Sequence, residues 1–465
     1  MRRVLLVFAI TAALLGLLAA PALASPKTFY VAPCGGNDTA HIQAAFNAAV
    51  TAGTGSTVQL AAGHFHTNNI VVNGFDGYFR GAGGGKTVID TLRGVDPSAA
   101  GLAAVISADP CPFLFAFKGG DLRASDMSFD ITAASPAEPW YSDNETDVAA
   151  VFYVTGNASS SFDRVSFRAH AGDADGYNVD VDIFIEGVEQ YDANDVTTFI
   201  GPTSGTDTVS DCSFQGRIAI KLEGLTAGRM TIRDNTFNEY YTSLFSIEDS
   251  NSQIDISHNQ MRCSGGDNLI LAQGWVELAA LPAPRYRITD NHMVATGTAG
   301  GVWLDDESWS YDNAPNRLDA AIVGNTITLD NGGMDGGIDG YYAKGIRVLG
   351  NRISGTGLAG IMVGATASLG WTPGPASGWR IIGNDVSGVT ATGDQYGVST
   401  APIWLGPDAD RCLVVGGCTP TQVLDQGTDD TLINVTPLDP PTQAARAMVP
   451  FRAAASLEQM SGGVR

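Results

Sequence analysis

Along most of this chain apolar and polar residues alternate in short runs that end at a glycine, asparagine or aspartate. That period places successive side chains on opposite faces of a strand, so the chain reads as many short, half-buried strands. Early examples are Thr57-Val58-Gln59-Leu60, Ile70-Val71-Val72 and Thr87-Val88-Ile89-Asp90. One segment breaks the pattern. From Asp38 to Val50 the apolar residues Ile42, Ala45, Phe46 and Ala49 recur at helical spacing, and Asp38 or Thr39 stands where a helix cap is expected.

The strands repeat. Arg233-Asp234-Asn235-Thr236-Phe237, Ser257-His258-Asn259-Gln260-Met261 and Thr289-Asp290-Asn291-His292-Met293 are three copies. Val323-Gly324-Asn325-Thr326-Ile327, Leu349-Gly350-Asn351-Arg352-Ile353 and Ile382-Gly383-Asn384-Asp385-Val386 are three more. Steps of 24, 32, 34, 26 and 33 residues separate their asparagines. A minimum near 24 with added residues describes a solenoid whose coils carry loops of varying length. Asparagine tolerates a left-handed bend and bonds to backbone, which predicts an inner asparagine ladder at the coil corner.

The helix followed by Val58-Gln59-Leu60-Ala61-Ala62-Gly63, together with the Ile-x-x-Asn-x-Ile/Phe coils, resembles the pectin-lyase-like right-handed parallel β-helix superfamily. The resemblance spans roughly Phe29 to Ile433 and implies an all-β solenoid of three-sheet coils with a short N-terminal capping helix. It implies no single chemistry, because lyases, hydrolases, esterases, epimerases, tailspikes and non-catalytic surface proteins share that fold.

A second strand follows each asparagine turn. Aligned by pattern, these strands include Ile183-Phe184-Ile185-Glu186, Ile220-Lys221-Leu222-Glu223, Phe245-Ser246-Ile247-Glu248, Ile270-Leu271-Ala272-Gln273 and Val302-Trp303-Leu304-Asp305. Their fourth positions predict an axial row of Glu186, Glu223, Glu248, Gln273 and Asp305, with Asp249 and Asp306 one residue beyond. The outward second positions, Lys221, Ser246, Trp303 and Trp404 among them, would border that row. Segments 134–146, 170–182, 307–316 and 330–342 read as insertions rich in acidic and aromatic residues, Trp309, Tyr311, Asp335, Asp339 and Tyr341 included.

Such a track suits a sugar polymer, since aromatic faces stack on pyranose rings and carboxylates bond hydroxyls or act on the glycosidic oxygen. Asp305, Asp306, Glu248 and Glu223 are the candidate catalytic carboxylates. Glu186, Lys221, Gln273, Trp303, Trp309, Tyr311 and Trp404 are the candidate substrate contacts. Lys221 is either a base or the neutralising partner of Glu223. The resembled hydrolases carry an Asn-Thr-Asp strand and a paired Asp-Asp; Asp305-Asp306 matches the pair, and the first strand is missing. The resembled lyases bind calcium through acidic side chains, which makes Glu223, Glu248 and Asp249 candidate calcium ligands.

Composition narrows the setting. Lys plus Arg number 26 against 49 Asp plus Glu, a formal charge of -23 that argues against a nucleic-acid partner. Arg2 and Arg3, the apolar run Val4–Ala19 and Ala22-Leu23-Ala24 form a signal-peptide pattern, with cleavage after Ala24. The expected organisation is therefore signal peptide 1–24, β-helix 25–436 and tail 437–465. The expected product is a secreted monomer, extracellular or periplasmic, with no transmembrane segment. Six cysteines in the exported part permit disulfides, and none has metal-site spacing. Three functions fit: a glycoside hydrolase needing no cofactor, a calcium-assisted lyase or epimerase, and a non-catalytic glycan-binding surface protein.

Overall fold

A computed structural model describes residues 25–438, apart from 68, 92–112, 133–147, 157–158, 170–178, 187–188, 192–196, 200–204, 224–227, 248–251, 267, 274–284, 306–317, 370–373, 375, 394–395 and 417–420. The segment expected to be a signal peptide and most of the expected tail lie outside these residues. The last strand, Val435–Leu438, carries the β-helix just past the expected boundary at 436.

Each coil contributes a strand to each of three ladders, and every pairing within the ladders is parallel. The first runs from Thr28–Val31 and Ser56–Leu60 through Gly228–Arg233 and Ser252–Ser257 to Thr431–Ile433. The second includes Gly63–Thr67, Ser213–Gln215, Thr236–Glu239, Gln260–Cys263 and His292–Thr296. In the early coils the strands Asp121–Asp130 and Ser159–Arg168 run unbroken around the corner between these two ladders. The third is a separate 13-stranded sheet that contains Ile218–Glu223, Thr242–Ile247, Ile270–Gln273, Val302–Asp305 and Ile338–Tyr341. Coils so stacked form a right-handed parallel β-helix, and each coil buries its inward side chains against the coils above and below.

The core is built from columns of like residues. Phe129, Phe167, Phe214 and Phe237 stack with centroid spacings of 5.4, 5.0 and 4.8 Å, and Met261 and Met293 continue the column. Parallel pairing at a ~4.8 Å repeat brings identical positions to ring-stacking distance. The helix Thr39–Ala52 closes the N-terminal end by burying Ile42, Ala45, Phe46 and Ala49, with Phe46 edge-on to Phe75 and Phe79. Asp38 does not cap it. Its carboxylate instead accepts the N–H groups of Cys34 (2.7 Å) and His66 (3.0 Å), tying the helix start to the second ladder.

The asparagine ladder is present, and its mechanism differs in one respect from expectation. Asn235, Asn259, Asn291, Asn325, Asn351 and Asn384 are buried, and each Oδ1 from Asn259 onward accepts both the backbone N–H and the Nδ2 of the preceding asparagine at 2.9–3.0 Å. The left-handed bend belongs to the residue before each one. Asp234, His258, Asp290, Gly324, Gly350 and Gly383 have φ between 55° and 67°. Met127, Val165 and Cys212 take the same place in the early coils, after the left-handed Asp126, Arg164 and Asp211.

Candidate functional site

Two columns of strand positions alternate with the core-facing residues of the third ladder. One reads Tyr153, Phe184, Lys221, Phe245, Leu271, Trp303, Asp339, Met362 and Trp404. The other reads Thr155, Glu186, Glu223, Ile247, Gln273, Asp305 and Tyr341. The expected acidic row is thus corrected at two rungs. Lys221 pairs with Phe245 and Glu223 with Ile247, so Glu248 falls one residue past the row and Ser246 turns inward, where its hydroxyl meets Tyr286 at 2.6 Å. A one-residue slip exchanges the faces of a strand, and burying Leu244 decides the register here. The second correction adds a rung, because Ile338–Tyr341 is a strand of the ladder and not an insertion.

Near the N-terminal end the face is aromatic. Phe113 stacks on Tyr153 at 4.0 Å, and Tyr153 meets Phe184 at 5.5 Å. Lys221 Nζ sits 4.7 Å from the Phe184 ring centroid and 5.8 Å from that of Phe245, and forms a 2.6 Å ion pair with Glu223 Oε2. That pairing makes Lys221 the neutralising partner of Glu223. Glu186 and Gln273 keep the expected strand positions, directly opposite Glu223 and Asp305.

Three coils on, the chemistry changes. Trp303 lies opposite Asp339 and Asp305 opposite Tyr341, and the Trp303 and Tyr341 rings approach to 4.7 Å. Asp305 and Asp339 are diagonal neighbours on adjacent strands, with Cα atoms roughly 8 Å apart by strand geometry. Asp305 is buried, and Asp339 and Tyr341 are fully so. The Gly336 N–H donates to Asp339 Oδ2 at 2.9 Å, and a Cβ at Gly336 would lie 2.0 Å from Oδ1, so only glycine lets this carboxyl fold back onto the backbone. Burial pushes the Asp339 pKa up to about 7, against the lowering effect of hydrogen bonds from the Asp335 side chain and the Gly336 N–H. Burial also lifts the Tyr341 hydroxyl far above its ordinary value, with Asp339, Asp335 and Asp305 adding like charge. Tyr396, whose hydroxyl donates to Met334 O at 2.8 Å, is raised to about 12 by burial and then by Asp335 and Asp339.

Trp404 does not belong to the open face. It is fully buried with Met362, Leu369, Val398 and Ala401, and its indole N–H donates to Gln426 Oε1 at 3.1 Å. Residues 358–369 and 396–401 supply the side chains that cover this end; Tyr341 belongs to the same buried cluster and Trp303 packs against it. Asp306, Trp309, Tyr311, Glu248 and Asp249 lie outside the described residues. Asp339 and Tyr341 gained their place through the alternation Ile338-Asp339-Gly340-Tyr341, a signal present in the sequence but read as an insertion. Two further acids are buried: Asp182, expected within the insertion 170–182, and Glu239, which no motif marks. Asp182 sits on a strand and not in an insertion, and no local pattern marks an inward-facing carboxylate.

Other candidate chemistry is structural or peripheral. His258 occupies the left-handed bend, and His292 is exposed at the start of its strand. Cys34, Cys212, Cys263 and Cys412 are free thiols, so there is no disulfide among the described residues; Cys111 and Cys418 lie outside them. The donor atoms of Cys34, Asp38 and His41 lie within 4.8 Å of one another at the helix start, although the Asp38 oxygens already accept two backbone amides. No helix among the described residues is long and apolar enough to cross a membrane.

Stacked parallel ladders, a capping helix and an internal asparagine column together form a right-handed parallel β-helix. No family model and no curated protein matches the chain. Among solved structures, it is similar to the A-module of the Azotobacter vinelandii mannuronan C-5 epimerase AlgE6, with 14% identity, 87% of this chain and 96% of that chain covered, and a TM-score of 0.43. It is similar also to the DFA-IIIase of Arthrobacter chlorophenolicus A6 without its lid, with 12% identity, 84% and 94% covered, and a TM-score of 0.48. A third is ORF18 of Geobacillus virus E2, with 13% identity, 83% and 61% covered, and a TM-score of 0.38.

Proposed function

We propose that the chain is a secreted glycoside hydrolase acting on a polysaccharide laid along the outer face of the third ladder. The reading rests on one observation: Asp305, Asp339 and Tyr341 stand on adjacent strands beside the Trp303 ring, and all three are buried. Glycosidic cleavage needs a protonated carboxyl to deliver a proton to the leaving oxygen and an ionised one to act on the sugar or activate water. Asp339, half-protonated near neutrality, takes the first role. Asp305, at the end of its strand, takes the second, with Asp306, Trp309 and Tyr311 following directly in the chain. Trp303 stacks on a sugar ring, and the row through Phe245, Lys221, Glu223 and Phe184 extends the track for neighbouring sugars. The reaction so written uses no cofactor. The lyase and epimerase reading needs a free base, and the Lys221–Glu223 ion pair speaks against that residue.

A panel of neutral, uronate and fructan polysaccharides, assayed for new reducing ends, tests the proposal. Activity on one class that is lost in both Asp305→Asn and Asp339→Asn supports it. Chelator-sensitive release of unsaturated, ultraviolet-absorbing products would instead identify a lyase. Binding without any product would identify a glycan-binding protein.

A further inference from the structure

Inside the tube, away from the outer face, two carboxylates front one small space. Asp182 belongs to the strand Val179–Glu186, and Glu239 ends the strand Thr236–Glu239 two coils further on. Between them the intervening coil offers only Gly216 and Ala219. A Cβ built on Gly216 would lie 3.5 Å from Glu239 Oε2, 3.7 Å from Asp182 Oδ2 and 3.6 Å from the Ala169 methyl. Both acids are almost wholly buried, and Asp182 Oδ2, Glu239 Oε1 and Glu239 Oε2 have no hydrogen-bond partner among the described residues. Ser243 stands on the same inward column as Ala219 and Asp182 and on the same coil as Glu239; it too is fully buried, and its Oγ has no partner among the described residues. The neighbouring Cys263 thiol points elsewhere, toward the carbonyls of Tyr240, Tyr241 and Gly265 at 2.9–3.2 Å.

Buried carboxylates cost several kcal/mol each; the Gly216 and Asn238 backbone N–H groups offset only part of the desolvation of Glu239, and no cationic side chain is among the causes acting on either acid. We propose that Asp182, Glu239 and Ser243 form an internal binding site for one hard divalent cation, calcium or magnesium, that staples three successive coils. Two carboxylates neutralise one divalent charge, which makes the buried unit electroneutral, and carboxylate and hydroxyl oxygens are the donors such ions prefer. The small residues of the middle coil provide the room. The site lies inside the coil, and the proposal is independent of the hydrolase reading.

The test uses the whole secreted chain. Metal analysis after exhaustive dialysis is expected to find about one calcium or magnesium per chain. Stripping with a chelator should lower Tm by about 3 °C or more, and added calcium or magnesium should restore it with proton uptake reversed into proton release. Asp182→Asn, close in shape to the native residue, should abolish both retention and the chelator effect. Finding no retained metal, together with a Tm indifferent to chelator and to both ions at pH 8, overturns the proposal and leaves protons as the charge-neutralising species. The wild-type measurements decide the matter even where a variant fails to fold.

Discussion

The asparagine ladder and the acidic clusters are both buried polar features of one tube, yet they are built in opposite ways. In the ladder every Oδ1 from Asn259 to Asn384 accepts two hydrogen bonds, and every Nδ2 also donates to a carbonyl of the coil below. Nothing there is left to react. In the acidic clusters desolvation dominates, and the carboxyls are driven toward the neutral pH range with few compensating bonds. Saturated polar columns hold coils together, whereas buried acids shifted upward by desolvation mark places where a proton, an ion or a substrate belongs. The two acid clusters differ in turn by side: Asp182 and Glu239 face the lumen, whereas Asp305 and Asp339 face outward beside Trp303.

Four changes sharpen or break that contrast. The largest effect is expected from Asp305→Asn, which should reduce turnover on the identified glycan by about 10²–10⁴-fold while leaving circular dichroism unchanged. A retained rate would remove this residue from the chemistry. Next comes Asn291→Ala at the middle of the ladder. It strands the N–H and Nδ2 of Asn259 and the carbonyl of Ile256, and should cost about 3 kcal/mol or more by denaturant titration, with activity lost only through unfolding.

Titration gives a third test. The folded-state values of Asp207, Asp339 and Glu239 are raised to about 6, about 7 and about 8, so the folded chain binds more protons than the unfolded chain across that range. Their contribution to stability is full below the unfolded carboxyl values of about 4 and is lost as pH rises through about 8. Thermal midpoints in the absence of divalent ions should therefore fall from pH 5 to pH 8; a flat or rising profile contradicts the burial argument. Catalysis should follow the acid limb of Asp339 and decline above about pH 7, as a pH–rate profile would reveal. The smallest effect belongs to Glu223→Gln, which breaks the partly exposed pair with Lys221 and should change stability by less than about 1 kcal/mol. A larger loss in substrate affinity than in stability would place that pair on the glycan track.

Much of the architecture was legible because it is repeated. Alternation gave the strands, and the steps between Asn235 and Asn384 gave the coil. The helical spacing of Ile42, Ala45, Phe46 and Ala49 gave the cap, and the structure keeps all three. The site was half legible. Alternation alone puts Trp303 and Asp305 on one face of their strand, whereas Asp339 and Tyr341 belong to a strand that the sequence reads as an insertion, and Ile247 takes the row position that pattern alignment gives to Glu248. Trp404 alternates as an outward residue, and a covering layer from residues 358–369 and from 396–401, just before it in the chain, buries it.

The division has a physical cause. Periodicity is a local property, set by backbone geometry and by which face of each strand meets the core, so the amino-acid order alone determined a stacked β-solenoid with an asparagine spine. Which carboxylate stands beside which depends on the number of residues between coils and on the pairing register, where one residue exchanges inside for outside. Only the stacked coils decided that Asp182 and Glu239, 57 positions apart in the chain, share one buried space across Gly216, and that Asp339 lies opposite Trp303.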